Sequence, residues 1–222
     1  MPEETGRPLQ LRRLGQLAYQ EALDLQKQLV ERRRSGEIPD QLLLLEHPHV
    51  ITLGTSSEAR HVLLSPEELA ARGIELHDAG RGGDVTYHGP GQLVGYPILA
   101  LSPNRRDLHR YLRDLEEVLV RTLEAFGIDG WREDGYTGVW TKDGKVAAIG
   151  VRVSSGWITS HGFALNVSPD LQYFTSIVPC GIQDRPVTSM ARILGRDVMS
   201  EEVVPDLVRC FEELFQRDSG VA

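Results

Sequence analysis

Lysine is scarce in this chain. Of its 24 lysines and arginines, only Lys27, Lys142 and Lys145 are lysines. Arginine keeps its proton under ordinary conditions, so chemistry that needs a neutral amine falls on these three. Cysteine is scarcer still: Cys180 and Cys210 stand alone, with no CxxC pair and no Cys/His spacing. That excludes a disulfide-stapled scaffold and the common zinc motifs, and no His-x3-His pair completes another metal site. No apolar run reaches the ~20 residues of a membrane span, and the start MPEETGRPLQ lacks the apolar stretch of a signal peptide. A cytoplasmic setting with no membrane contact and both thiols reduced is the expectation. The net charge of −8 leaves no dominant cationic field, which argues against general nucleic-acid binding.

The 222 residues are 41% apolar and 25% charged, the profile of an ordinary soluble globule. That length buries a sizeable core without staples, and no linker or repeat divides it, so one domain over 1–222 is expected. Apolar spacing predicts a helix over 18–34, stopped by Ser35-Gly36, and a second over 107–126 with Gly127 behind it. A last helix is predicted over 200–216, with Pro205 near its start, and a short one over 189–194. Ser65-Pro66-Glu67-Glu68 carries the start signals of another. Strand signals fall at 11–17, 41–46, 50–53, 93–101 and 158–167. The pair 138–141 and 146–153, around Lys142-Asp143-Gly144-Lys145, reads as a hairpin. Strands and helices interleave without regular alternation, so an α/β (α+β) fold with a mixed, largely antiparallel sheet flanked by helices is predicted.

Residues 81–96, RGGDVTYHGPGQLVGY, hold five glycines and one proline around Arg81, Thr86, Tyr87 and His88. Glycine removes side chains so that main-chain N–H groups can approach a ligand, which makes this a candidate pocket wall. His88 and His161 each precede a glycine, a setting that suits an imidazole beside ligand-facing backbone. His47, His49, His61, His77 and His109 have no comparable setting. Cys180 lies between Pro179 and Gly181, a turn that can present a thiol, although a buried structural role is equally open to it. Cys210 falls on the apolar face of the last helix and reads as core. Lys145 opens the small-residue strand Val146-Ala147-Ala148-Ile149-Gly150, where burial would lower its pKa and free its amine as a base.

Taken in order, several segments resemble the lipoyl(octanoyl) transferases, also called lipoate-protein ligase B. They are Leu45-Glu46-His47-Pro48 with Thr52-Leu53-Gly54, RGGDVTYHGPGQLVGYP from Arg81, KVAAIGVRV from Lys145, HGFALNV from His161 and FTSIVPCGI from Phe174. The resemblance covers most of residues 45–190, and the terminal helices add little to it. It implies the fold of the biotin and lipoate ligase catalytic domain. It also implies octanoyl (or lipoyl) transfer from acyl carrier protein to lipoyl-domain lysines, those of 2-oxoacid dehydrogenase E2 subunits and of the glycine cleavage H protein. Carried over by position, Cys180 is the acyl-thioester nucleophile and Lys145 its catalytic partner. Arg81, Gly82, Gly83, Asp84, Val85, Thr86, Tyr87 and His88 match acyl-substrate contacts. So do Ala148, Ile149 and Gly150, and likewise His161, Gly162 and Phe163. No cofactor and no metal are implied.

Small and apolar residues such as Ala148, Ile149 and Gly150 would line a tunnel that measures chain length. Arg105, Arg106 and Arg110 are the first candidates for docking an acidic carrier protein. The rival readings are an ATP-dependent lipoate or biotin ligase, a cysteine thioesterase and a non-catalytic acyl-binding protein. The Pro-Cys-Gly turn separates the transferase from the ligases, which activate a free acid and need no cysteine.

Overall fold

The structure, a computed structural model, describes residues 7–103, 105–178 and 186–218. In chain order its elements begin with β1 (Arg7–Gln16), α1 (Tyr19–Arg34), β2 (Asp40–Glu46), β3 (Val50–Leu53), α2 (Pro66–Ala71), β4 (Glu75–Asp78), β5 (Thr86–His88) and β6 (Gln92–Ile98). They continue with α3 (Leu108–Ala125), β7 (Trp131–Glu133), β8 (Tyr136–Thr141), β9 (Gly144–Ser154), β10 (Ile158–Asn166), α4 (Met190–Leu194), α5 (Ser200–Phe215) and β11 (Arg217–Asp218).

The strands form an eight-stranded sheet in the order β11-β1-β2-β6-β10-β9-β8-β7 and a three-stranded sheet in the order β4-β3-β5. Within the large sheet only the pairings of β1, with β11 and with β2, are parallel. The rest are antiparallel, so the predicted mixed α+β class holds. Alternation along the strands sorts the apolar residues onto two faces. Leu43, Leu45, Val94, Tyr96 and Ala164 pack with Ala22 and Leu29 of α1. Leu42, Leu44, Leu93, Phe163 and Leu165 pack with residues of α3 and α5 such as Leu115, Leu119, Leu207 and Phe211. Because β2 is covered on both faces, its sequence reads as an unbroken apolar run. Cys210 is buried in this core, as expected, and burial raises its thiol pKa.

Local chemistry sets the element ends. Ser65 and Glu68 exchange side-chain and main-chain bonds in a capping box at the start of α2, with Pro66 in the first turn. Asp107 caps α3 by accepting from the Arg110 N–H at 3.0 Å. β1 begins at Arg7, four residues before the predicted run. Only Leu9 of its length is buried, so main-chain pairing with β2 and not apolar periodicity defines it. The short strands β4, β5, β7 and β11 carry too few residues to signal themselves in sequence. Among the described residues, no helix is long and apolar enough to cross a membrane.

One buried charge fastens the chain end. The Asp40 carboxylate, 1% exposed, accepts from Arg33 Nε at 2.6 Å, Arg217 Nε at 2.7 Å and the Ala100 N–H at 2.9 Å. Removing it strands the guanidinium of Arg217, itself 4% exposed at the side chain. Asp40→Ala should therefore lower unfolding stability by about 3–5 kcal/mol, read from urea denaturation.

Candidate active site

A cavity of about 430 Å³ opens between the large sheet, the start of α1 and the glycine-rich loop. Arg81, Gly82, Gly83, Asp84, Val85, Thr86 and His88 line it, together with Lys145, Ala148, Ile149, Gly150, His161, Gly162 and Phe163. The structure thus brings to one place nearly every residue singled out from sequence. Tyr87 is the exception. Strand alternation in β5 turns it away from the cavity, into a cluster with Ile51, Leu69 and Ile177, and its hydroxyl meets His49 Nδ1 at 2.7 Å. Cys180 lies outside the described residues.

The glycine-rich loop is sewn to the sheet by its own backbone. Gly82 N–H donates to Val151 O at 2.9 Å, and Thr55 N–H donates to Arg81 O at 2.9 Å. Arg81 is 8% exposed, and its guanidinium donates to Thr52 O and Oγ1, each at 2.9 Å, and to Gly82 O at 3.1 Å. A fixed cation is thereby built into the cavity wall. On the facing sheet, Gly95 leaves the space that the Phe163 ring occupies; a Cβ there would sit inside the ring.

Lys145 is buried at 9% exposure, with its Nζ 5.3 Å from the Trp140 ring centroid, a cation–π contact. Gly138 on the neighbouring strand makes room for it: a Cβ there would lie 2.7 Å from Lys145 Cε. The Lys145 N–H donates to Pro186 O, and its carbonyl accepts from the Thr188 N–H, both at 2.9 Å. Val178 N–H donates to His61 O at 2.8 Å, and His61 Nδ1 stands 2.6 Å from Asp84 Oδ2 without hydrogen-bond alignment. Both flanks of segment 179–185 are therefore tied to walls of the cavity, and Phe174 and Val187 line it.

Three buried histidines surround the polar part of the cavity. Burial lowers the pKa of His47 to about 4 and of His161 to about 4. His88 is lowered to about 3, by burial first and then by its neighbours His47 and Arg81. All three are neutral at pH 7, and their partners assign the tautomers. His47 Nδ1 faces Leu17 O at 2.7 Å, which can only accept, so Nδ1 carries the proton and Nε2 accepts from the Tyr96 hydroxyl at 2.8 Å. Gln92 Nε2 donates to Asn166 Oδ1 and Tyr87 O, so its Oε1 must accept from His88 Nδ1 at 2.7 Å. His88 therefore keeps an unprotonated Nε2. His161 adopts φ of 55°, uncommon for a non-glycine residue, and its freed N–H donates to Gln26 Oε1 of α1 at 2.7 Å.

Sequence reasoning passed over Tyr19, Gln26, His47, Gln92, Tyr96 and Asn166. His47 carried one usable signal, as a polar residue directly after a fully buried strand and before Pro48. Tyr19 and Gln26 carried none, because only the docking of α1 brings them to the site. Of the three arginines expected on a docking face, Arg105 is spent internally. It bonds Asp114 at 3.0 Å and Leu214 O at 3.0 Å and lies over the Phe215 ring. Arg106 and Arg110 are exposed at the start of α3, beside Leu108 and Leu112 of the cavity lining.

A mixed sheet with a glycine-walled cavity and one buried lysine defines a catalytic domain of the lipoate and biotin ligase fold. Solved structures share it. A crystal structure of lipoate-protein ligase A bound with ATP superposes with a TM-score of 0.76 at 20% identity, over 95% of this chain and 87% of that one. A biotin protein ligase from Aquifex aeolicus in complex with biotin and ATP gives 0.55 at 14% identity, over 94% and 70%. The model of the lipoyl protein ligase A/B catalytic domain matches residues 18–212, and this chain belongs to that family. Relatives named octanoyltransferase are 53% identical in Rubrobacter xylanophilus, over 96% of each chain, and 52% identical in Chloroflexus aurantiacus, over 97% of each.

The buried histidines make stability fall in acid. Their folded pKa values lie below the ordinary 6.5, so between about pH 4 and 6.5 the unfolded chain binds more protons. Their contribution is complete above pH 6.5 and is lost as pH drops through that window. Urea denaturation as a function of pH should give a slope approaching three protons there; a flat profile would contradict burial of the neutral rings.

Proposed function

We propose that this chain is an octanoyltransferase. It moves an octanoyl (or lipoyl) group from the phosphopantetheine thioester of acyl carrier protein to a lysine of a lipoyl domain, by way of a thioester on Cys180. The acceptors are lipoyl domains of 2-oxoacid dehydrogenase E2 subunits and the glycine cleavage H protein, in the cytoplasm. What carries the reading is full-length similarity to octanoyltransferases together with a buried lysine at the edge of a cavity whose lining is largely apolar.

In the first half-reaction Lys145 takes the Cys180 proton, and the thiolate attacks the carrier thioester carbonyl. The tetrahedral oxyanion collapses, and the departing pantetheine sulfur recovers the proton from the Lys145 ammonium. One thioester is exchanged for another, so no ATP is required. In the second half-reaction the acceptor amine attacks the acyl-enzyme and an amide forms. The amine's proton passes to Lys145 and on to the released thiolate. Splitting the transfer in two lowers each barrier. Burial of Lys145 against Trp140, and anchoring of both flanks of segment 179–185 on the cavity, support the pairing of these two groups.

The second reading is an ATP-dependent ligase, favoured by the fold shared with ATP-bound relatives. Intact-mass measurement separates the two. With octanoyl carrier protein and no ATP, wild type should gain one octanoyl group and Cys180→Ser none. Lys145→Met should slow acylation by about 10²–10⁴-fold, the usual contribution of a positioned base. Acylation of a lipoyl domain from free octanoate that needs ATP and survives Cys180→Ser would favour the ligase.

We further propose that the acidic carrier docks on α3 through Arg106 and Arg110. The double variant R106E/R110E should slow acyl-enzyme formation and flatten its salt dependence, leaving thermal stability intact. Unchanged rates and salt response would move the docking site elsewhere.

A further inference from the structure

Tyr19 opens α1 with its side chain in the cavity lining and 2% exposed, yet its hydroxyl has no hydrogen-bond partner among the described residues. Burial raises its pKa to about 12, so it keeps its proton and remains a donor. It belongs to a contiguous set of rings. Its centroid lies 5.4 Å from His47 and 6.5 Å from His88, and Tyr96 stands 5.9 Å from His47 and 6.2 Å from His161. The bonds already assigned leave His88 Nε2 as a bare acceptor. Beside the Gln26 Nε2 donor, which is also unpaired behind His161, the recess therefore holds the Tyr19 hydroxyl as an uncommitted donor and His88 Nε2 as an uncommitted acceptor.

The polar recess is remote from Lys145. Lys145 is on β9, whereas Gln92 and Tyr96 are on β6 and His47 follows β2, two and three strands across the sheet. At ordinary strand spacing that is roughly 10–15 Å. Between them the lining carries Ala147, Ile149, Phe163 and Ala164, together with Asn166, whose side-chain amide is already committed to Gln92 and to Thr188 O.

We infer that Tyr19 is a specificity-determining residue, and that the polarity of its recess, not a steric wall, sets the upper limit of acyl-chain length. This rests on the acyl-transfer reading above. Each methylene laid along the apolar stretch gains from leaving water. A methylene pushed against the Tyr19 hydroxyl and His88 Nε2 instead deprives both of a partner, and burying unsatisfied polar groups is unfavourable. The sign of each added carbon changes where the lining changes.

The test compares carrier protein charged with octanoyl, decanoyl or 9-hydroxynonanoyl groups, following acyl-enzyme by intact mass. The last two chains have the same number of heavy atoms, so a steric wall treats them alike. Wild type should take 9-hydroxynonanoyl over decanoyl by about tenfold, equivalent to about 1.4 kcal/mol. Tyr19→Phe, which alters polarity with little change of shape, should raise the decanoyl-to-octanoyl ratio severalfold and reduce the preference for the hydroxyl, the remainder resting on His88 Nε2. Equal treatment of the two long chains by wild type overturns the inference without needing any variant, as does an unmoved ratio in Tyr19→Phe. Failure of wild type to take octanoyl at all overturns the transferase reading and this one with it.

Discussion

A line of hydrogen bonds, all pointing the same way, runs under the cavity. His88 Nδ1 donates to Gln92 Oε1, Gln92 Nε2 to Asn166 Oδ1, Asn166 Nδ2 to Thr188 O, and the Thr188 N–H to the carbonyl of Lys145. Each amide is oriented by the next, so the tautomer of His88 follows from the Thr188 carbonyl, three hydrogen bonds along the line. Aligned bonds in a dry interior polarise one another and hold their geometry. The line joins the strand that carries the buried amine to the recess that would meet the tail of a ligand. It also pairs the buried side-chain amides of Gln92 and Asn166, which would be costly to leave unpaired.

Neutral histidines are what such burial produces. An imidazolium at His88 or His161 would sit close to the Arg81 guanidinium with little solvent to screen it, so the proton is released. Among the described residues, the strongly basic side chains of the wall are then Arg81, clamped by Thr52, and Lys145, set over Trp140. Lysine scarcity sharpens the point. Arginine serves for structural charge, at Arg33 and Arg217 around Asp40 as at Arg81, while the buried position whose proposed task is to give and take a proton is a lysine.

Much of the scaffold was legible because local signals and burial agree. The run of leucines in β2 is apolar on both faces, α3 has a clean stripe, and the Ser65 box and the turn before Lys145 announce themselves. The cavity wall was legible for the same reason, since dense glycine has few other uses. What could not be read is whatever depends on docking between distant segments. Tyr19 and Gln26 look like ordinary helix residues until α1 lies across β6 and β10. Tyr87 sits in the glycine-rich motif, yet strand alternation gives it a structural task. Arg105 looked like part of a basic surface, but its partners Asp114 and Leu214 come from elsewhere in the chain.

The proposed chemistry explains why one fold can serve enzymes that use ATP and one that does not. Both must hold an apolar acyl chain, keep water from its carbonyl and offer a cation beside the reacting atoms. The cavity wall and the buried lysine meet all three needs without reference to how the acyl group is activated. Activation is then a matter of what else reaches the carbonyl end: a nucleotide in one case, a thiol in the other. A free acid must be raised in energy before a lysine amine can displace its oxygen, whereas a thioester already stands near the level of the acyl-enzyme. On the proposed reading, a single cysteine at position 180 is therefore a sufficient change. It needs no extra binding surface, and in the sequence it is marked by the Pro179-Cys180-Gly181 turn, nearly a hundred residues after the glycine-rich wall.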